Sequence, residues 1–74
     1  MPKRYSARQV IKTLERLGFK VVSQRGSHIK LRGLQEGKLQ TVIVPNHKQV
    51  AVGTFSSILR QASITKQEFE ENSR

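Results

Sequence analysis

A chain of 74 residues supports one small hydrophobic core, because a domain of this size buries only ~60% of its unfolded surface. The absence of cysteine excludes a disulfide framework and a thiolate metal site. The longest apolar runs are three residues, too short for a membrane span or a signal peptide. We therefore expect a single domain over residues 1–74, located in the cytoplasm, with no membrane partner and no small-molecule cofactor.

The formal net charge of +9 lies entirely in the first two-thirds of the chain. Residues 1–48 contain eleven Lys and Arg against two Glu, whereas residues 49–74 contain three residues of each sign. This asymmetry predicts a polyanionic partner: nucleic acid before an anionic membrane or an acidic protein. The chain has no Asp and its five Glu are scattered, which disfavours a nuclease that needs a carboxylate cluster to hold metal ions.

The first predicted element is a helix from Ser6 to Leu17. Ser6 and Gln9 have the spacing of a capping box, and Gly18 is placed to end the helix in a left-handed conformation. Apolar residues recur at helical spacing at Val10, Leu14 and Leu17. The opposite side carries cations at Arg8, Lys12 and Arg16. These cations are either a track for phosphates or a solvated helix face, and both interpretations stay open.

Alternating apolar and polar residues predict three strands, over residues 19–24, 28–34 and 39–44. A turn at 25–27 and a loop at 33–38 connect them. Phe19 and Val21 are expected on one face of the first strand. Val42 and Val44 are expected to point inward from the third strand, which Pro45 ends because it cannot donate to a sheet.

The chain then returns to helical patterns. Residues 53–62 predict a helix whose apolar stripe consists of Phe55, Ile58, Leu59 and Ala62. Thr65 and Glu68 form a second capping box, which begins a short C-terminal helix. The order α-β-β-β-α with a helical tail predicts an α+β fold, in which both main helices pack on one face of a three-stranded antiparallel sheet. The other face is left to solvent or a ligand.

The second strand carries the candidate site. Ile29 and Leu31 alternate with polar residues, so we expect His28, Lys30 and Arg32 on the outer face of the sheet. The turn before the strand adds Arg25 and Ser27. An imidazole beside a row of cations suits acid–base chemistry on a phosphodiester. A merely solvated strand face is the alternative, and the stretch alone does not decide between them.

The second histidine of the chain follows the third strand. His47 and Lys48 lie in a predicted loop after Pro45. His47 is either a second acid–base or phosphate-binding group or a surface residue that packs locally. Both interpretations stay open.

Four short motifs occur here in the order of a known family. They are Gly18-Phe19, Gly26-Ser27-His28, Val44-Pro45-Asn46-His47, and Gly53-Thr54 opening the helix that carries Ile58-Leu59-Arg60-Gln61-Ala62. From about Ser6 to Phe69 the chain resembles the HicA family of bacterial type II toxins, also called the YcfA-like family. The resemblance implies a double-stranded-RNA-binding-like fold and an mRNA interferase, a ribonuclease neutralised by a HicB antitoxin protein. It also implies that His28 is the essential histidine.

A ribonuclease that works without metals uses the 2′-hydroxyl of its substrate as the nucleophile. A histidine has a reference pKa of ~6.5 and suits the proton transfers, so His28 is the predicted general base or acid. Cations supply the electrostatic stabilisation of the phosphate, a role predicted for Lys30 with Arg25 or Arg32. Ser27 is a further candidate donor, and His47 a candidate complementary acid.

Two alternatives belong to other function classes. One is a non-catalytic RNA-binding module with the same fold, in which His28 only contacts the 2′-hydroxyl or phosphate. The other is an adaptor whose basic face docks an acidic protein. Loss of RNA cleavage in a His28→Ala variant separates the ribonuclease from both.

Overall fold

A computed structural model describes residues 4–73, which form three helices and three strands in the order α-β-β-β-α-α. The helices are α1 (Ala7–Arg16), α2 (Val52–Ala62) and α3 (Lys66–Asn72). The strands are β1 (Lys20–Arg25), β2 (His28–Gln35) and β3 (Lys38–Pro45). They pair in one antiparallel sheet in the order β1-β2-β3, which confirms the predicted α+β fold.

The ends of α1 follow from its sequence. The Ser6 hydroxyl accepts a hydrogen bond from the Gln9 backbone N–H, and the Gln9 side-chain oxygen accepts one from the Ser6 N–H, so the predicted capping box is present. Gly18 has a φ of 100°, and the Phe19 N–H donates to the Leu14 carbonyl. This is the arrangement of a Schellman motif, which satisfies carbonyls that the helix end would otherwise leave unpaired.

One hydrophobic core lies between the helices and one face of the sheet. Val42 and Val44 are fully buried in it, as predicted. The helices and the middle strand contribute further fully buried side chains, among them Val10, Leu14, Leu31 and Ile58. The opposite face of the sheet therefore remains available for a ligand.

The first strand differs from the expectation. Phe19 is buried, but Val21 is 45% exposed and every residue of β1 is exposed. Val21 lies opposite the buried Leu31 and so faces the helix side of the sheet. However, α1 and α2 pack against β3, at the other edge, and leave β1 uncovered.

The free edge of β3 is covered by α2. The Ile43 backbone N–H donates to the Gln61 side-chain oxygen at 2.9 Å, and the Gln61 amide donates to the Ser57 hydroxyl. This contact satisfies one backbone donor on the edge of β3 that no strand pairs.

The connection between β2 and β3 is tighter than the predicted loop over 33–38. It is a two-residue turn in which Glu36 and Gly37 have φ of 55° and 77°, as a type I′ turn requires. Gly33 lies within β2 and not in the loop. Its lack of a side chain makes room for Phe19, because a Cβ there would lie 2.7 Å from the Phe19 Cγ. The third strand also runs one residue further than expected, through Pro45.

The C-terminal helix docks through an aromatic cluster. The Phe69 ring lies 5.0 Å from the Tyr5 ring and 4.8 Å from the Phe55 ring, measured between centroids, with near edge-to-face geometry. The Arg16 guanidinium also donates to the Asn72 carbonyl at 2.8 Å. Phe69 is fully buried, so α3 is part of the core.

Candidate active site

The outer face of the sheet is set by the alternation along β2. Ile29 and Leu31 are buried on the helix side, so His28, Lys30 and Arg32 project from the other face. His28 and Arg32 are exposed and Lys30 is half-buried. One imidazole and two cations thus stand in a row along the central strand.

The β1–β2 turn brings a third cation beside the imidazole. Gly26 has a φ of 58°, the left-handed conformation that the first central residue of a type II′ turn needs. This turn makes Arg25 and His28 directly opposite partners across the two strands. Directly opposite residues have neighbouring side chains on the same face, so Arg25 stands beside His28.

A bulge in β1 changes which residues join this face. The register shifts between Val21 and Ser23. Ser23 lies opposite Lys30, and beyond the bulge Lys20 lies opposite Arg32. The bulge therefore adds Lys20 to the cationic outer face, consistent with the way that bulges redirect side chains.

These residues surround a shallow concavity of about 610 Å³, the His28 concavity. Its lining includes three of the predicted site residues, His28, Arg25 and Lys30. The rest of its lining consists of Ser23, Gln24 and Ile43. A phosphate in this space would be within reach of an imidazole, a guanidinium, an ammonium and a hydroxyl group.

Two other predicted residues lie close by but outside the lining. Ser27 occupies the β1–β2 turn, and its carbonyl accepts a hydrogen bond of 2.6 Å from the Asn46 N–H. Arg32 lies two residues beyond Lys30 on the same face, about 7 Å further along the strand. Both therefore flank the His28 concavity.

His47 and Lys48 lie in a different place. They line a second concavity of about 510 Å³, the His47 concavity, together with Ser6, Arg8 and Asn46. The loop is held to α1 by a hydrogen bond of 2.9 Å from the Ala7 N–H to the His47 carbonyl. The structure thus separates the two histidines into two concavities.

A model of the family described as HicA toxin of bacterial toxin–antitoxin systems matches residues 7–64 of the chain. This chain belongs to the HicA toxin family. The match runs from the start of α1 to just past the end of α2 and includes the whole sheet. No curated protein matches the sequence significantly. As a toxin of a toxin–antitoxin system, this HicA chain has an antitoxin as its partner.

Sequence reasoning missed part of the lining of both concavities in this HicA toxin. In the His28 concavity these residues are Ser23, Gln24 and Ile43, and in the His47 concavity Ser6 and Asn46. A two-residue turn at 26–27 implies that Ser23 lies opposite Lys30, so the register of the hairpin predicts that Ser23 faces the candidate site. Arg8 was predicted only as part of a possible phosphate track on α1, and its place beside His47 depends on the tertiary structure, which brings α1 to the loop after β3.

The cations of α1 do not form one continuous track. Arg8 lines the His47 concavity, whereas the Arg16 guanidinium donates to the Asn72 carbonyl of α3. Lys12 is exposed between them. In this HicA toxin, Arg8 therefore belongs to a candidate anion site, and Arg16 makes a structural contact with α3.

Within residues 4–73 of the HicA toxin, no three His, Cys, Asp or Glu side chains are grouped so that they could hold a metal ion. No helix in that same part of the chain is both long enough and apolar enough to cross a membrane.

Proposed function

We propose that this HicA toxin is an endoribonuclease, an mRNA interferase that cleaves mRNA in the cytoplasm and so arrests translation. The observation that carries the proposal is the His28 concavity, where an imidazole stands beside Arg25 and Lys30 on an open basic face. The family resemblance assigns the essential histidine to the same residue. We further infer that residues 1–74 act as a single domain with no cofactor.

The proposed reaction uses the RNA's own 2′-hydroxyl. Its oxygen attacks the adjacent phosphorus, the bond from phosphorus to the 5′-oxygen breaks, and the products are a 2′,3′-cyclic phosphate and a 5′-hydroxyl. One proton leaves the 2′-hydroxyl and one is delivered to the 5′-oxygen. His28 performs one of these transfers, as general base or general acid, and solvent handles the other at this open site.

The cations hold the phosphate and stabilise the charge that develops on it. Arg25 is directly opposite His28, and Lys30 follows on the same face, so both reach the non-bridging oxygens of a phosphate beside the imidazole. Ser27 adds a donor at the turn. Arg32, with Lys20 opposite, extends the positive face toward the β2–β3 turn and binds a flanking phosphate.

The His47 concavity supplies a second anchor for RNA. We assign His47 and Lys48, with Arg8, to binding of a flanking phosphate, because they line a concavity that His28 does not share. The hydrogen bond from the Asn46 N–H to the Ser27 carbonyl links this loop to the turn that precedes His28. Phosphate contacts of this kind fix the position of the RNA on the protein and carry no information about the RNA sequence.

A non-catalytic RNA-binding module is the second candidate. It uses the same basic face, and the openness of the His28 concavity favours it, because enzymes generally exclude water from the reacting groups. The two candidates differ in one outcome, whether bound RNA is cut.

Purified toxin is expected to cleave mRNA in EDTA as fast as in Mg²⁺, because the sequence has no Asp and residues 4–73 contain no cluster of carboxylates. Gel analysis of an RNA substrate with and without EDTA measures this. The His28→Ala variant, purified in parallel, controls for contaminating host ribonucleases. Loss of cleavage in EDTA with recovery in Mg²⁺ would contradict the mechanism, and salt-sensitive binding of intact RNA would favour the binding module.

A further inference from the structure

Two leucines are exposed side by side at the far end of the sheet's outer face. Leu34 is 65% exposed and Leu39 is 63% exposed, the highest values among the large hydrophobic residues of the described chain. They are direct partners across β2 and β3, next to the turn at Glu36 and Gly37. Their side chains therefore form one apolar pair, the leucine pair.

The leucine pair shares a face with the candidate active site. Leu34 follows Arg32 by two residues along β2, so it projects to the same side as His28. Leu34 lies six positions beyond His28 along the strand, a distance of about 20 Å. The outer face is thus basic at one end and apolar at the other.

The hydrophobic core does not account for these leucines. The core lies on the opposite side of the sheet and includes neither of them. A type I′ turn depends on the residues at positive φ, here Glu36 and Gly37, and not on leucine beside it. A paired, exposed apolar patch on a basic surface is typical of a docking site for another molecule.

The positive charge of the chain indicates which class of molecule binds the leucine pair. A second copy would bring one chain of net charge +9 against another, with Arg32 next to the patch on the same face. RNA gains little from leucine, because nucleobases stack on aromatic or guanidinium planes, which the leucine pair does not offer. A protein with an apolar pocket inside an acidic surface complements both ends of this face.

We propose that the leucine pair is the apolar anchor of the antitoxin. The proposal rests on membership in a toxin–antitoxin family and does not depend on ribonuclease activity. An interface of ~800 Å² per partner is roughly 30 Å across, which is wide enough to cover the leucine pair and His28 together. The basic end speeds association with the acidic partner, and burial of the leucines slows its dissociation.

The test is the double variant Leu34→Thr/Leu39→Thr, in which threonine keeps a strand-forming residue at both exposed positions. The probe is the toxin's purified cognate antitoxin, and binding is measured by biolayer interferometry without RNA. We expect Kd to rise about tenfold or more, mainly through faster dissociation. Val52→Thr removes an apolar side chain that is 44% exposed on α2, away from the outer face of the sheet, and should leave Kd unchanged.

Several results would overturn the proposal. One is a Kd of the double variant for the antitoxin that lies within threefold of the wild-type value. Another is a loss of RNA cleavage at unchanged antitoxin affinity, which would assign the pair to RNA. A third is a dimer of the toxin alone that the variant dissociates, which would assign it to a second copy.

Hydrogen–deuterium exchange of the wild-type complex is an independent measurement that needs no variant. Protection of residues 33–40 by the antitoxin is expected, and its absence would contradict the proposal. An inactive toxin would refute the ribonuclease while leaving both binding measurements valid.

Discussion

Replacing His28 with alanine is expected to lower the rate of RNA cleavage by about 10²–10⁴-fold, the usual contribution of a general acid or base. Expression of the variant should no longer arrest growth. His28 is exposed on the outer face, so its removal leaves no cavity in the core, and surface changes of this kind stay within about 0.5 kcal/mol of wild-type stability. Single-turnover cleavage and a thermal melt measure the two effects.

His47→Ala is the matched control, because it removes the other exposed imidazole. His47 lines a different concavity, so this variant should bind RNA more weakly and retain a cleavage rate at saturating RNA within about tenfold of wild type. Near-wild-type cleavage by His28→Ala would refute the assignment of the catalytic residue. Equal loss of rate in both variants would instead make the histidines an acid–base pair.

Gly33→Ala is expected to have the largest effect on stability. An added Cβ would lie 2.7 Å from the Phe19 Cγ and 2.9 Å from the Phe19 Cα. The second of these is a backbone atom, so rotation of the ring alone does not remove the clash. Overpacking of this kind costs about 1–3 kcal/mol, and each kcal/mol lowers Tm by about 4–8 °C in so small a domain.

The control is Gly53→Ala, the same chemical change on α2. A Cβ at Gly53 meets no atom within 4 Å, and alanine favours the helix over glycine by up to about 1 kcal/mol. Denaturant unfolding should therefore give a lower midpoint for Gly33→Ala and an equal or higher one for Gly53→Ala. Equal midpoints for Gly33→Ala and the wild type would refute the close packing of Phe19 on β2.

Local features of this fold are predictable because short-range chemistry determines them. The capping boxes at Ser6 and Thr65 need only residues three positions apart, and both form. The alternation from His28 to Arg32 fixes which side chains face outward once one face is buried. The outer position of the predicted catalytic residue therefore followed from the sequence.

Features that depend on distant contacts were not predictable in the same way. The bulge after Val21 follows no simple pattern in the sequence, yet it decides that Lys20 joins the basic face. The exposure of Val21 depends on where the helices pack. The separation of His47 from His28 depends on hydrogen bonds that tie the loop after β3 to both α1 and the β1–β2 turn.

The chemistry of the cut ends tests the His28-centred mechanism most directly. Mass analysis of an oligoribonucleotide cleaved in EDTA should find a 2′,3′-cyclic phosphate, or its hydrolysis product, and a 5′-hydroxyl. A single 2′-deoxy substitution at the cut site should abolish cleavage there, because it removes the nucleophile. A 5′-phosphate at the cut, or unchanged cleavage of the 2′-deoxy substrate, would contradict the mechanism.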